Sequence, residues 1–362
     1  MKYRLPHLLS ASLLLGLIAC DETQSTPPDT TRPDIVEDVS EPRPDSNEPD
    51  ATLPDTTIPD SEPADTRVPD ATDDSTSETS DTTATGDVTA PTSYTLELGG
   101  WTLQPGTETT RCIVVRLGNV GKIWVPRIHS TLSKGSHHFV IYRSGDSVER
   151  TTPFNCQPFS ETLGGATVPL MISQTREESL ELPPDVAFEL EPNQMIRLEA
   201  HYLNYFTEPI TTQATITFEV MPADQTPLVA DFLFYGTVAI FIPSGKSLTT
   251  PWNYYSVPSG LQVFAMTGHT HQLGTNVEVD FATSADAGTS VYPPEGKSFR
   301  WSEAPVAYFD PPIAFTADQG FRFRCSWTNT TDQAVGFGES ATEEMCFFWA
   351  YYYPSRGFLS RF

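Results

Sequence analysis

The chain has 362 residues and a formal net charge of −26, from 47 acidic and 21 basic side chains. An acidic chain with no cluster of Lys or Arg excludes nucleic acid, and anionic membrane surfaces, as partners gripped through a basic patch. The excess is uneven: residues 21–90 hold 20 Asp and Glu against three Arg, which leaves −11 on residues 91–362.

At the N-terminus, Lys2 and Arg4 precede an apolar run from Leu8 to Ile18 that is short for a membrane span and has the form of a secretion leader. It ends in Leu17-Ile18-Ala19-Cys20, which resembles the lipobox of bacterial lipoproteins. Residues 1–20 are therefore expected to be a signal peptide and Cys20 the lipidated first residue of the mature chain. The protein is then exported and tethered to the bacterial cell envelope, on the periplasmic or cell-surface side, with the lipid as its only membrane contact.

Residues 21–92 read as a disordered linker. Between Asp21 and Ala90 there are ten Pro and no aromatic residue, and short units recur at Pro44-Asp45, Pro54-Asp55, Pro59-Asp60 and Pro69-Asp70. Such a segment cannot bury enough apolar surface to offset its ordering entropy. Prolines and like charges stiffen it into a stalk.

From Ser93 onward the pattern becomes strand-like. Ala214 to Val220 alternates small or apolar residues with Thr, Thr and Glu, and Phe321, Phe323, Cys325 and Trp327 share a face opposite Arg322, Arg324 and Ser326. Similar runs lie at 112–117, 139–143, 229–242 and 347–353, and no amphipathic helix pattern stands out. Many short strands between Gly and Pro turns predict an all-β chain of β-sandwiches. A boundary between Pro222 and Pro227 gives two domains, residues 93–224 and 225–362. Four cysteines follow Cys20, and they allow three pairings. With two in each half, Cys112–Cys156 and Cys325–Cys346 is the simplest choice, in keeping with an oxidising compartment.

The histidines are few and grouped. Of seven, His7 lies in the leader and His129 stands apart without an assigned role; the others are His137-His138, His201 and His269-Thr270-His271. Residues i and i+2 of a strand point the same way, so His269 and His271 can reach one metal. Neighbours on a regular strand do not, so His137 and His138 can act together only if the backbone bends, and Ser133-Lys134-Gly135-Ser136 supplies a turn or bulge. His201 falls on the polar side of its strand with Arg197 and Glu199. Met345, beside Cys346, is a soft donor suited to Cu(I).

In this order, His137-His138-Phe139, His201, His269-Thr270-His271-Gln272-Leu273-Gly274 and Glu344-Met345-Cys346 resemble the copper motifs of the type II, ascorbate-dependent monooxygenases, the group of peptidylglycine alpha-hydroxylating and dopamine beta-monooxygenases. The resemblance spans about residues 93–362. It implies two antiparallel, jelly-roll-like β-sandwich domains facing each other across a solvent-filled cleft. It also implies two coppers per chain, an electron-transfer copper on His137, His138 and His201 and an O₂-binding copper on His269, His271 and Met345. Ascorbate is the implied electron donor, with O₂ and a small-molecule or peptide-like substrate as partners of a chain expected to be monomeric.

Departures from the family pattern bear on the substrate. Phe139 stands where Met is frequent, Ser144 in place of a Cys and Gln262 in place of a His. Thr267 stands where peptide-hydroxylating members have a carboxylate-binding Arg, and Phe347 and Trp349 where they have Asn and Tyr. These changes argue against a peptidylglycine substrate and toward something more apolar or aromatic. Three other readings compete: a copper-sequestering lipoprotein without catalysis, a zinc hydrolase on one three-histidine site, and a stalked adhesion or glycan-binding module.

Overall fold

The protein is described here by a computed structural model covering residues 91–164 and 167–362; the leader, Cys20 and the linker up to residue 90 lie outside the described residues. In chain order the first half contains β1 (Ser93–Leu103), β2 (Glu108–Arg116), β3 (Ile123–Val125), β4 (Arg127–Leu132), β5 (Ser136–Arg143), β6 (Arg150–Asn155), α1 (Ser160–Gly164), β7 (Val168–Ser173), β8 (Glu177–Glu181), β9 (Val186–Leu190), β10 (Met195–Leu203) and β11 (Ile210–Glu219). The second contains β12 (Leu228–Val229), β13 (Asp231–Gly236), β14 (Phe241–Ile242), β15 (Ser247–Thr249), β16 (Asn253–Ser256), β17 (Gln262–His269), β18 (Gly274–Ala282), β19 (Gly288–Tyr292), β20 (Ala307–Ala314), β21 (Gly320–Thr328), β22 (Val335–Gly336), β23 (Phe347–Tyr353) and β24 (Leu359–Arg361).

The chain is all-β, built as two sandwiches. In the first, sheet β1-β11-β4-β8 lies on sheet β6-β2-β10-β5-β7; in the second, β15-β21-β18-β19 lies on β20-β17-β23-β13-β24. Among the described strands every pairing is antiparallel except β12 with β9 and β13 with β24. The strands sort by half, and only β12 pairs with a strand of the first half.

β23 shows why the second half carries so aromatic a strand. Phe347, Trp349, Tyr351 and Tyr353 join the core that both halves share, while Phe348, Ala350 and Tyr352 join the core internal to the second sandwich. Alternation sends successive residues to opposite faces, and because both faces are covered neither has a polar side. Its neighbour β13 divides in the same manner, Phe232 and Phe234 outward, Leu233 and Tyr235 inward. The two central sheets therefore meet face to face, and Tyr351 reaches across with its hydroxyl 3.4 Å from the Ile172 amide of β7.

β10 differs from its sequence reading in one respect: its polar face is also buried. Arg197 is 6% exposed, and Glu199 and His201 are fully enclosed. The segment from Phe159 through α1 covers the first two. Arg197 pairs with Glu161 of α1 at 2.8 Å, and Glu199 Oε1 accepts the Phe159 amide at 2.8 Å. Polar groups can be buried here because each is given a partner.

Both disulfides take the simplest pairing, Cys112–Cys156 and Cys325–Cys346, across sequence separations of 44 and 21 residues. The first ties β2 to the segment leading into Phe159; the second joins β21 to the residue that precedes β23. Replacing Cys112 and Cys156 together by Ser is expected to lower stability by about 4 kcal/mol through the larger loop of the unfolded chain, measured by urea unfolding of the oxidised protein.

Candidate metal centre

The bend required at His137 is present. β5 pairs His138 with His201 but Ser136 with Tyr202, so His137 is the extra residue of a β-bulge. Gly135 leads into it with φ +85°, and a Cβ there would meet the Leu203 carbonyl oxygen at 2.9 Å and overlap the Ile210 side chain. The bulge turns His137 and His138 together, their ring centres 5.2 Å apart.

On the other side, β17 ends at His269 and His271 begins a tight turn closed by the Gly274 amide on the His271 carbonyl at 3.0 Å. Gly274 thus opens β18. A Cβ at Gly274 would overlap Thr270. The two imidazoles lie 5.2 Å apart.

The five histidines meet in a single buried cluster. His137 is its centre, 5.2–5.4 Å from the rings of His138, His201, His269 and His271, and His138 lies 4.8 Å from His201. The resemblance put the two groups on opposite walls of a solvent-filled cleft; here the central sheets are in contact, and Phe159 fills the space between them. Its ring lies 4.3 Å from His138 and 5.2 Å from His269. Trp301 (5.6 Å from His137) and Trp349 (5.9 Å from His269) extend the aromatic surround. Met345 is fully buried in the apolar core common to both halves. His129 is outside the cluster, on β4, bonded through Nδ1 to the Ser179 hydroxyl at 2.7 Å.

Hydrogen bonds decide which nitrogens face inward. Gln174 Oε1 accepts from His269 Nδ1 at 2.6 Å, while Gln174 Nε2 donates to the Gly268 carbonyl at 3.0 Å and so fixes the amide's orientation. The Glu343 carbonyl accepts from His271 Nδ1 at 3.0 Å. In both rings the proton is on Nδ1 and the Nε2 lone pair is free, the arrangement a metal-ligating imidazole takes. Those two Nε2 atoms and both nitrogens of His137 are buried without a partner.

One nitrogen from each of His137, His269 and His271 falls within 4.8 Å of the others. Bonds of about 2 Å from imidazole to a first-row metal hold three donors roughly 3.3–3.5 Å apart, so modest ring movements close the site. The donor set suits copper and zinc alike.

His138 and His201 are engaged differently. Glu108 Oε1 accepts from His201 Nε2 at 2.8 Å, and His201 Nδ1 lies 3.0 Å from His138 Nε2. Glu108 also accepts the Ala341 amide at 3.2 Å, which ties this pair to the loop before Met345. Beneath that loop, the Glu344 carboxylate accepts from the amides of His271 (2.9 Å) and Leu273 (2.7 Å) and from Trp327 Nε1 (2.8 Å), holding the His271 turn in place.

Burial governs the electrostatics. Desolvation, helped by the neighbouring imidazoles, holds His137, His138 and His269 well below the usual histidine value, and burial takes His271 down to about 4. Four of the rings are therefore neutral at pH 7, and a metal need not displace a proton from them. The hydrogen bond from His201, ahead of any other influence, keeps Glu108 below the carboxylate range. Burial pushes Glu344 and Glu199 up to about 7.

Several residues of this environment have no sequence signature. Gln174, Glu108 and Phe159 lie far in sequence from the histidines they touch, and a lone Gln, Glu or Phe carries no motif. Phe159 adopts φ 56°, a strained conformation for a bulky residue, secured by Glu199 on its amide.

Residues 251–359 match the family model described as copper type II ascorbate-dependent monooxygenase, C-terminal domain. The matched segment, which carries His269, His271 and Met345, is similar to the C-terminal domain of that family. A comparison with curated proteins found no match. Among solved structures the chain is similar to the major capsid protein P2 from bacteriophage PM2, at 10% identity and a TM-score of 0.29 over 72% of this chain and 96% of that one. A likeness that low carries no argument.

Two outcomes are expected. Gln174→Leu removes the acceptor that orients His269 and lowers metal affinity about 10–100-fold, read by competition with a chelator. Glu199 keeps a proton between pH 4.5 and 7 that the unfolded chain has released, so its own contribution to metal-free stability falls across that window as pH rises, by roughly 3 kcal/mol, opposite in sign to that of the buried histidines. Glu199→Gln removes that contribution alone, so the stability of the variant relative to wild type should rise with pH across the window, checked by urea unfolding of both proteins at a series of pH values.

Proposed function

We propose that this protein is a copper-dependent monooxygenase that hydroxylates a substrate C–H bond with O₂ and a one-electron donor such as ascorbate. The balance is R–H + O₂ + 2e⁻ + 2H⁺ → R–OH + H₂O. The observation that carries this reading is the meeting of five histidines, two of them within a matched copper-monooxygenase domain, with buried, unpartnered donor nitrogens. Bound copper would supply one-electron redox chemistry and O₂ activation. The chain's own part is to present neutral imidazoles, to orient His269 and His271 through Gln174 and Glu343, and to exclude water with Phe159, Trp301 and Trp349.

The positions that hold a substrate carboxylate in peptide-hydroxylating relatives support an uncharged substrate. Thr267 donates to the Pro305 carbonyl at 3.0 Å, and Phe347 and Trp349 are packed in the shared core. No cation stands at any of the three. We further propose two sandwich domains meeting near residues 224–225 and an export route ending in lipidation at Cys20, with the linker as a stalk.

The test is oxygen uptake on adding ascorbate to the copper-loaded protein with apolar and aromatic candidates. Wild type should show substrate-coupled uptake and His269→Ala none, with the fold of the variant intact by circular dichroism. Copper binding without any coupled uptake would favour sequestration; retained zinc with hydrolytic activity would favour the hydrolase.

A further inference from the structure

The resemblance divides the ligands by half of the chain; the geometry divides them otherwise. We infer that the tightest metal site of this protein is a single three-histidine centre shared between the halves, made by His137 of the first and His269 and His271 of the second, with Met345 outside it. This rests on the copper reading of the protein but departs from the ligand sets that reading brings with it.

Three observations converge. First, donor nitrogens of His137, His269 and His271 already lie within 4.8 Å of one another. Second, these three rings present buried nitrogens with no hydrogen-bond partner, and His137 has none on either nitrogen. An unsatisfied buried polar atom is destabilising, and a metal relieves that at all three rings together. Third, the remaining pair is largely satisfied, with His138 Nδ1 its one buried nitrogen without a partner. His138 and His201 bond to each other at 3.0 Å, and Glu108 takes the outer nitrogen of His201. A metal binding to His201 and to His138 Nε2 must break that bond and displace its proton, so a second equivalent binds more weakly than the first.

The bulge at His137 gives the same result from the fold. It turns His137 out of the β5 ladder to a position equidistant, within 0.2 Å between ring centres, from His138, His201, His269 and His271. Its ring is the one that touches both groups on equal terms. Met345 packs instead among the apolar side chains of the shared core. One consequence is mechanical: a metal held from both halves fastens the two central sheets together.

The experiment uses the full chain titrated with Cu(II) against a competing chelator, with electron paramagnetic resonance of the one-equivalent form and thermal unfolding at each step. One copper should bind tightly and raise the unfolding midpoint, and a second should bind more weakly. His137→Ala and His269→Ala should each weaken the first equivalent by at least about 100-fold and remove the thermal shift. Met345→Ile and His201→Ala should leave the first equivalent unchanged. His137→Gln stands in if the alanine variant does not fold. Independently of any variant, X-ray absorption of the one-equivalent Cu(I) form should show nitrogen donors and no sulfur. A sulfur donor, two equivalents of equal affinity, or a first copper sensitive to Met345→Ile and indifferent to His137 would each overturn the shared site. Copper held by the three nitrogens without oxygen uptake would uphold this site and overturn only the monooxygenase reading.

Discussion

Face-to-face burial of the two central sheets is the constraint on which the rest of the structure depends. Once β5 and β10 lie against β17 and β23, any polar side chain between them must find a partner inside the protein, because water is excluded. Arg197 finds Glu161, Glu199 finds the Phe159 amide, and Glu344 collects two amides and an indole. The same demand falls on the histidines. His201 satisfies it through His138 and Glu108, whereas His137, His269 and His271, and His138 on Nδ1, present nitrogens without a partner in the protein.

That division follows from local backbone geometry more than from residue type. A bulge after Gly135 rotates His137 out of the ladder, and a tight turn after β17 brings His271 back beside His269. Each device needs a glycine, since a side chain at Gly135 or Gly274 would overlap its surroundings. The supports are drawn from distant segments: Gln174 from the first half fixes a ring of the second, and Glu108 of β2 reaches the loop before Met345. The Cys325–Cys346 bridge anchors that loop to β21.

Burial also sets the chemistry the cluster can perform. Desolvation keeps four of its rings neutral, so they are ligands and not acids at pH 7. The aromatic surround of Phe159, Trp301 and Trp349 gives a dry environment in which a metal's electrostatic influence is strong. Thr267 is engaged with the Pro305 carbonyl, and Phe347 and Trp349 are packed in the shared core.

The all-β class was written in the sequence, because alternation at period two survives in single strands such as Phe321–Trp327 and needs no knowledge of the partner strand. The disulfide pairs were the simplest of three pairings the sequence left open, and the structure has them; the histidine groups stood out because imidazoles are rare in this chain. For the bend at His137 the sequence offered only a turn in Ser133–Ser136, where Gly135 is free to take positive φ; that the backbone bends there was decided by the fold. What decided the rest was the packing of one sheet on another. Sequence could not tell that the polar face of β10 is enclosed, since Arg197, Glu199 and His201 read the same on a wet surface as in the interior. Nor could it merge two histidine groups into one cluster, or recruit Gln174 and Glu108 as their supports. Those are relations between side chains about 90 or more residues apart, and a motif records only what is near in the chain. Contact across the shared core, and the desolvation that comes with it, exists only once the tertiary structure has formed.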